Sequence, residues 1–160
     1  MKQTAVIALG SNLQNPEEQI HNALAALGAH PKVWIRKTSS LYRTAPVGYT
    51  DQPDFINAVC IIETELAAAD LLATLNRIEA EAGRERAFRN APRTLDLDII
   101  DYAGIQSDDP RLTLPHPRAS ERGFVMWPLA EIAPEFALPG MAESAGQIAE
   151  RLGSEGLIKI

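Results

Sequence analysis

The chain has 160 residues, 46% of them hydrophobic and 22% charged, and a net charge of −6. One domain spanning 1–160 is expected, with enough chain to bury a core without staples, and intrinsic disorder of the whole is excluded. The acidic balance disfavours nonspecific nucleic-acid binding, no apolar run reaches the ~20 residues of a membrane helix, and the single Cys60 points to a reducing, cytoplasmic setting.

Residues 4–9 read as a strand entering the turn Gly10-Ser11-Asn12, too short to be an export signal. Asn15-Pro16-Glu17-Glu18 predicts a helix start, with Asn15 capping, Pro16 at the first helical position and the acids at the positive end of the dipole. Ile20, Ala23, Leu24 and Leu27 make the helical stripe, and Gly28 stops it. Val33–Tyr42 and Phe55–Leu66, rich in β-branched and aromatic residues, are predicted strands. The connection Thr44–Asp54, marked by Pro46, Gly48 and Pro53, is long for a hairpin, as functional or mobile loops are. Asp70–Ala82 is a second amphipathic helix, with Leu71, Leu72, Leu75 and Ile78 inward and Gly83 at its end. Leu95–Tyr102 is a strand, and short helices are expected at Ala119–Ile132 and Glu143–Leu152. The order β-α-β-β-α-β predicts a ferredoxin-like α+β sandwich: a mostly antiparallel sheet, helices packed on one face, and a C-terminal extension.

Two local features carry chemistry. In Leu95-Asp96-Leu97-Asp98-Ile99, strand alternation turns the aliphatic residues one way and both acids the other. The pair reads either as the wet face of an amphipathic strand or as a cation site. Strands are depleted in Asp, and like charges ~7 Å apart on one face repel unless a cation intervenes. The second feature is arginine. Of 15 basic residues 11 are Arg, and eight of these fall between Arg77 and Arg122, where there is no Lys. Arg84–Arg93 alone holds four Arg against one Glu. Taken alone this is a solvated loop or a set of guanidinium forks for phosphate. Beside paired acids it suits phosphoryl-type transfer. No Walker A sequence occurs, which excludes a P-loop NTPase.

At these residues the chain resembles the 6-hydroxymethyl-7,8-dihydropterin pyrophosphokinases of folate biosynthesis. Arg89–Ile100 fits the family signature at every position: a basic residue, any residue, a small residue, Pro-Arg, two residues, Asp-x-Asp and two aliphatics. Further blocks follow in family order over about residues 5–135: Ala8-Leu9-Gly10-Ser11-Asn12, Tyr42-Arg43-Thr44-Ala45-Pro46, Asp51–Ala58, Arg77-Ile78-Glu79, Arg111–Pro117, Arg122-Gly123-Phe124 and Pro128-Leu129. No specific block of the family is recognised after Pro139.

The resemblance implies an ATP- and magnesium-dependent enzyme. It would move the β,γ-pyrophosphoryl unit of ATP to the pterin hydroxymethyl group and release AMP, without a covalent nucleophile. On it, Asp96 and Asp98 hold two Mg²⁺ ions, Arg84 and Arg93 meet the triphosphate, and Arg86 is their looser companion. Asn76, Glu79, Arg111, Thr113, His116, Arg122 and the Ile99 backbone match nucleotide-side positions. Phe55 and Phe124 match the residues that sandwich the pterin, while Asn57 and the Thr44–Val47 backbone read its edge. Asn76 stands where many relatives carry Gln, and Asn90 where some carry an aromatic residue; the loop there is one residue shorter than theirs. A monomer acting on small molecules, with no nucleic acid or membrane partner, is expected. The competing reading is a non-catalytic ferredoxin-like module that binds a ligand or RNA.

Overall fold

A computed structural model describes residues 1–12, 15–44, 54–82 and 95–160. Among the described residues six strands form one sheet: β1 (Gln3–Ser11), β2 (Val33–Thr38), β3 (Tyr42–Thr44), β4 (Phe55–Thr64), β5 (Asp96–Tyr102) and β6 (Leu157–Lys159). Its order is β5-β1-β4-β3-β6, with β2 also on β4, and every pairing is antiparallel. Helix α1 (Pro16–Gly28) joins β1 to β2 across β4, and α2 (Ala68–Glu81) joins β4 to β5 across β1. These are two interlocked split β-α-β units, the ferredoxin-like arrangement expected from the element order.

The two faces of the sheet are covered by different helices. Ile7 and Leu9 of β1, Ala58, Cys60 and Ile62 of β4, and Leu97 and Ile99 of β5 pack on Ile20 and Leu27 of α1 and on Leu71, Leu75 and Ile78 of α2. Cys60 is fully buried there, and burial pushes its thiol up to about 12. The opposite face carries Val6, Val59 and Ile100 against Val125, Met126 and Leu129 of α3 (Gly123–Ile132) and Ile148 of α4 (Ala145–Leu152). The expectation of helices on one face therefore holds for α1 and α2, while the C-terminal extension adds a second helical layer.

Four local expectations are corrected. Asn15 takes a left-handed conformation, φ 56°, and makes no side-chain cap. Its carbonyl accepts from Gln19 N–H, and Pro16 does open the helix as expected. The strand expected over Val33–Tyr42 breaks at Ser39–Leu41. There the Ser39 N–H donates to the Val59 carbonyl while its hydroxyl accepts from the Val59 N–H, both at 2.9 Å, so the ladder is bridged across the break. The helix expected at Ala119–Ile132 splits at Arg122 into a 3₁₀ turn (Ala119–Glu121) and α3. Helix α4 begins at Ala145 because Ser144 and Gln147 form a reciprocal capping box.

The second layer is tied to the sheet edge through Glu131 at the end of α3. Its carboxylate accepts from Ser40 N–H at 2.9 Å, Ser40 Oγ at 2.6 Å and Tyr42 OH at 2.9 Å, and pairs with Lys159 at 3.5 Å. Burial works against the charge, but the Ser40 and Tyr42 bonds win and hold the carboxyl below its ordinary pKa. The stability it supplies is therefore present above the unfolded pKa and lost as pH falls through the lowered value. Glu131→Ala is expected to cost about 1–3 kcal/mol in urea unfolding at pH 7, with a smaller deficit under acid conditions.

Candidate active site

The site is built on two adjacent rungs of the sheet. Gly10 lies opposite Asn57 of β4 on one side and opposite Asp96 of β5 on the other, and Ala8 likewise lies between Val59 and Asp98. Residues directly opposite in an antiparallel pair share a face. Asn57, Asp96 and Asp98 therefore stand on the α3 side, above a strip of β1 that carries almost no side chain. Going along that face, β1 shrinks from Val6 to Ala8 to Gly10. A Cβ placed on Gly10 would lie 2.9 Å from Asn57 Oδ1, so the close approach of Asn57 requires glycine.

A cavity of about 820 Å³ opens over this strip. Gly10, Asn57, Asp96 and Asp98 lie at its sheet side, Thr44 and Phe55 at the β3–β4 end, and Arg122 and Phe124 at the start of α3. Asn57 Nδ2 donates to Thr44 Oγ1 at 3.0 Å, which fixes the amide against its own strand pair. The Arg122 guanidinium lies 5.5 Å from the centre of the Phe124 ring, within cation–π range. Phe55 and Phe124 thus present two aromatic rings to one cavity whose floor is acidic.

That floor is electrostatically loaded. The Asp98 carboxyl is pushed up to about 6, first by burial and then by the charges of Asp96 and Glu79, with Arg122 working the other way. Glu79 is 2% exposed and accepts from the Leu97 N–H at 2.7 Å, reaching from α2 to the peptide between the two acids. His116 is half-buried. Its N–H donates to the Ile100 carbonyl and its Nδ1 accepts from Arg118 N–H at 3.2 Å. Burial, then Arg122, lower its pKa, while Asp96 pulls the other way, which places the imidazole within electrostatic reach of the acidic floor. Two hard carboxylate oxygens beside one another suit a hard divalent cation, whose charge would offset the repulsion that raises the Asp98 pKa. Among the described residues no group of three or more His, Cys, Asp or Glu gathers as a protein-only metal cage.

Seven of the expected site residues converge on the cavity: Thr44, Phe55, Asn57, Asp96, Asp98, Arg122 and Phe124. The other expected residues that are described stand apart from its lining. Asn76 is exposed on α2, Glu79 is turned to Leu97, and the Ile99 side chain is in the core. Arg111 is exposed and holds Asp109 through Nε and Nη2 at 3.3 and 3.2 Å, and Thr113 Oγ1 donates to the Asp109 carbonyl. Val47, Arg84, Arg86, Arg93 and Asn90 lie outside the described residues. Sequence reasoning assigned no role to Ala8 and Gly10, to Arg118 and Glu121 before α3, or to Glu155, Gly156 and Leu157, all of which line the cavity. The size taper of β1 was the available signal for the first two. Glu155, Gly156 and Leu157 depend on how the C-terminal segment folds back.

An aromatic pair thus faces a two-carboxylate floor on a ferredoxin-like sheet. The profile of the 7,8-dihydro-6-hydroxymethylpterin-pyrophosphokinase family matches residues 6–134, and the chain belongs to that family. It is 45% identical over 157 residues to the 2-amino-4-hydroxy-6-hydroxymethyldihydropteridine pyrophosphokinase of Haemophilus influenzae, covering 98% of each chain. It is 47% identical over 139 residues to the Pseudomonas aeruginosa enzyme of the same name, covering 87% of this chain and 86% of that one. Among solved structures, a Plasmodium falciparum HPPK-DHPS chain superposes with a TM-score of 0.78 at 14% identity. That match spans all of this chain and 48% of the Plasmodium one, a likeness of fold.

The raised Asp98 pKa has a direct stability consequence. A carboxyl whose folded pKa lies above its unfolded value supports the fold at low pH, and that support is lost as pH rises through the folded pKa. Asp98→Asn is therefore expected to raise the melting temperature of the ligand-free chain above pH 6, by on the order of 1–3 kcal/mol in stability, and to leave it nearly unchanged near pH 4. Thermal melts across that range check it; a gain independent of pH would show that Asp98 does not carry the buried charge.

Proposed function

We propose that the chain is a cytoplasmic, single-domain, monomeric pyrophosphokinase that uses ATP and Mg²⁺ to diphosphorylate the hydroxymethyl group of 6-hydroxymethyl-7,8-dihydropterin, releasing AMP. The observation that carries this reading is the pair of rungs that sets Asp96 and Asp98 beside Asn57, in one cavity with Phe55 and Phe124, within a chain of this family.

The aromatic half takes the pterin. A planar heteroaromatic ring gains from offset stacking on Phe55 and Phe124, and Asn57, held by Thr44, offers a directed amide to its hydrogen-bonding edge. The acidic half takes the phosphates. Asp96 and Asp98 are the residues that would hold Mg²⁺, which when bound supplies charge neutralisation and a template for in-line displacement. Arg122, on the same wall as Phe124, adds a positive charge between the two halves. Arg84 and Arg93, with Arg86, are assigned to the triphosphate by family resemblance. Asn76, Glu79, Ile99, Arg111, Thr113 and His116 are assigned to the nucleotide side on the same ground. The hydroxymethyl oxygen then attacks the β-phosphorus, the bond from that phosphorus to the AMP oxygen breaks, and the hydroxyl proton leaves to solvent. Catalysis consists of alignment and charge compensation.

A non-catalytic ligand- or RNA-binding module is the weaker reading. An RNA-binding sheet favours exposed aromatics on a basic face, whereas this cavity has an acidic floor in a chain of net charge −6. The test is direct. The protein, MgATP and the hydroxymethyl-dihydropterin should yield AMP and the pterin diphosphate in equal amounts. ATP hydrolysis without pterin product, or no turnover, would refute the proposal.

Two substitution sets resolve the halves. Asp96→Asn and Asp98→Asn should each lower turnover at saturating MgATP by roughly 10³-fold or more, with the fold retained. Near-normal turnover in either variant would overturn the metal assignment. Phe55→Ala and Phe124→Ala should each weaken pterin binding by about 1–3 kcal/mol and leave ATP affinity nearly unchanged, as read by calorimetry. A parallel loss of both ligands would mark the ring as structural.

A further inference from the structure

The C-terminal segment beyond the family profile forms part of the cavity. After α4 the chain turns at Gly153 and Gly156, whose φ values of 79° and 78° are the left-handed kind that glycine permits. The Trp127 indole N–H of α3 donates to the Gly153 carbonyl at 2.8 Å. The chain then enters β6, which adds to β3 with Leu157 opposite Thr44, Ile158 opposite Arg43 and Lys159 opposite Tyr42. The Ile160 N–H donates to the Leu41 carbonyl, and Lys159 meets Glu131. Each end of the segment is thus fastened to a different layer, Gly153 to α3 and Leu157–Ile160 to the sheet edge.

The register determines which half of the cavity this segment serves. Thr44 faces Phe55 of β4 on one side and Leu157 of β6 on the other, so Leu157, Thr44 and Phe55 form a single rung. Glu155, Gly156 and Leu157 line the cavity there, in the same cavity as Phe124. The acidic pair lies on β5, at the opposite edge of the sheet. A segment on β6 therefore meets whatever lies against Phe55 and is separated from Asp96 and Asp98 by three intervening strands.

We infer that Glu155–Leu157, held by β6, is the outer wall of the aromatic half of the cavity and a positioning element for the flat heteroaromatic substrate, with no part in nucleotide binding or in the chemical step. The inference rests on the assignment of the pterin to Phe55 and Phe124. It gives residues 155–160 a function in the proposed reaction, although the family profile ends at residue 134.

The test is a chain ending at Ser154, compared with the full chain in steady-state kinetics and in pterin titration with a non-hydrolysable ATP analogue present. The KM and Kd for the hydroxymethyl-dihydropterin should rise about tenfold or more, the loss expected when one apolar side chain and its flanking backbone leave a binding wall. The KM for ATP, and kcat at saturating pterin, should stay within about twofold, a split that general loosening of the fold would not produce. Leu157→Ala, which keeps the β6 backbone pairing, should move the pterin constants in the same direction by a smaller factor, and it decides the matter if the shortened chain does not fold. Unchanged pterin constants in a folded variant, or pterin and ATP constants rising together, would overturn the inference. A full chain that shows no pterin turnover would instead refute the assignment of the substrate itself, and this inference with it.

Discussion

The site depends on β1 being hydrogen-bonded along both edges. Asn57 and Asp96 are far apart in sequence, on strands that never touch, yet each lies directly opposite Gly10. The separation between the ring-binding end and the acidic end is therefore the width of the sheet on either side of one strand, a distance fixed by backbone hydrogen bonds rather than by side-chain packing. A strand placed so must be narrow where its neighbours carry function. Ala8 and Gly10 meet that demand, and on the other face Ile7 and Leu9 are as large and buried as any core residue. One strand thus anchors the α1–α2 core with alternate residues and clears the floor of the cavity with the rest.

The acidic floor runs against folding. Asp98 is half-buried beside Asp96, with a third carboxylate, Glu79, close enough to raise its pKa. Glu79 has a compensating structural use, since its bond to the Leu97 N–H ties α2 to the edge strand at the peptide that separates the two acids. The result is an arrangement whose repulsion is relieved by a proton or a cation. Such local destabilisation within an otherwise consistent fold is where function is expected to reside.

Much of this was legible in the sequence, for identifiable reasons. Alternation in Leu95–Ile99 told which residues share a face, because period-two burial on a half-covered strand is a strong signal. It separated Leu95, Leu97 and Ile99 from Asp96 and Asp98 correctly. The split β-α-β order followed from the helices between the strands. What was not legible depends on distant contacts. The break at Ser39 is defined by its bonds to Val59, twenty residues along the chain. Strand β6 has only three residues, two of them exposed, so no pattern marks it until β3 offers an edge. The second helical layer was missed because α3 is apolar on nearly all sides and shows no single inward stripe. The arginines of 84–93 stood out by composition, but they lie outside the described residues.

The single cysteine of the chain has a practical corollary. Cys60 faces the α1–α2 core with no exposed surface, and its thiol stays protonated far above neutral pH. Thiol reagents act on the thiolate of accessible cysteines, so the native chain is silent to them. Any cysteine introduced on the surface becomes the sole reactive address. A fluorophore or spin label can be attached at one chosen position, and movements of the cavity walls during the reaction cycle can be followed without first removing a native residue.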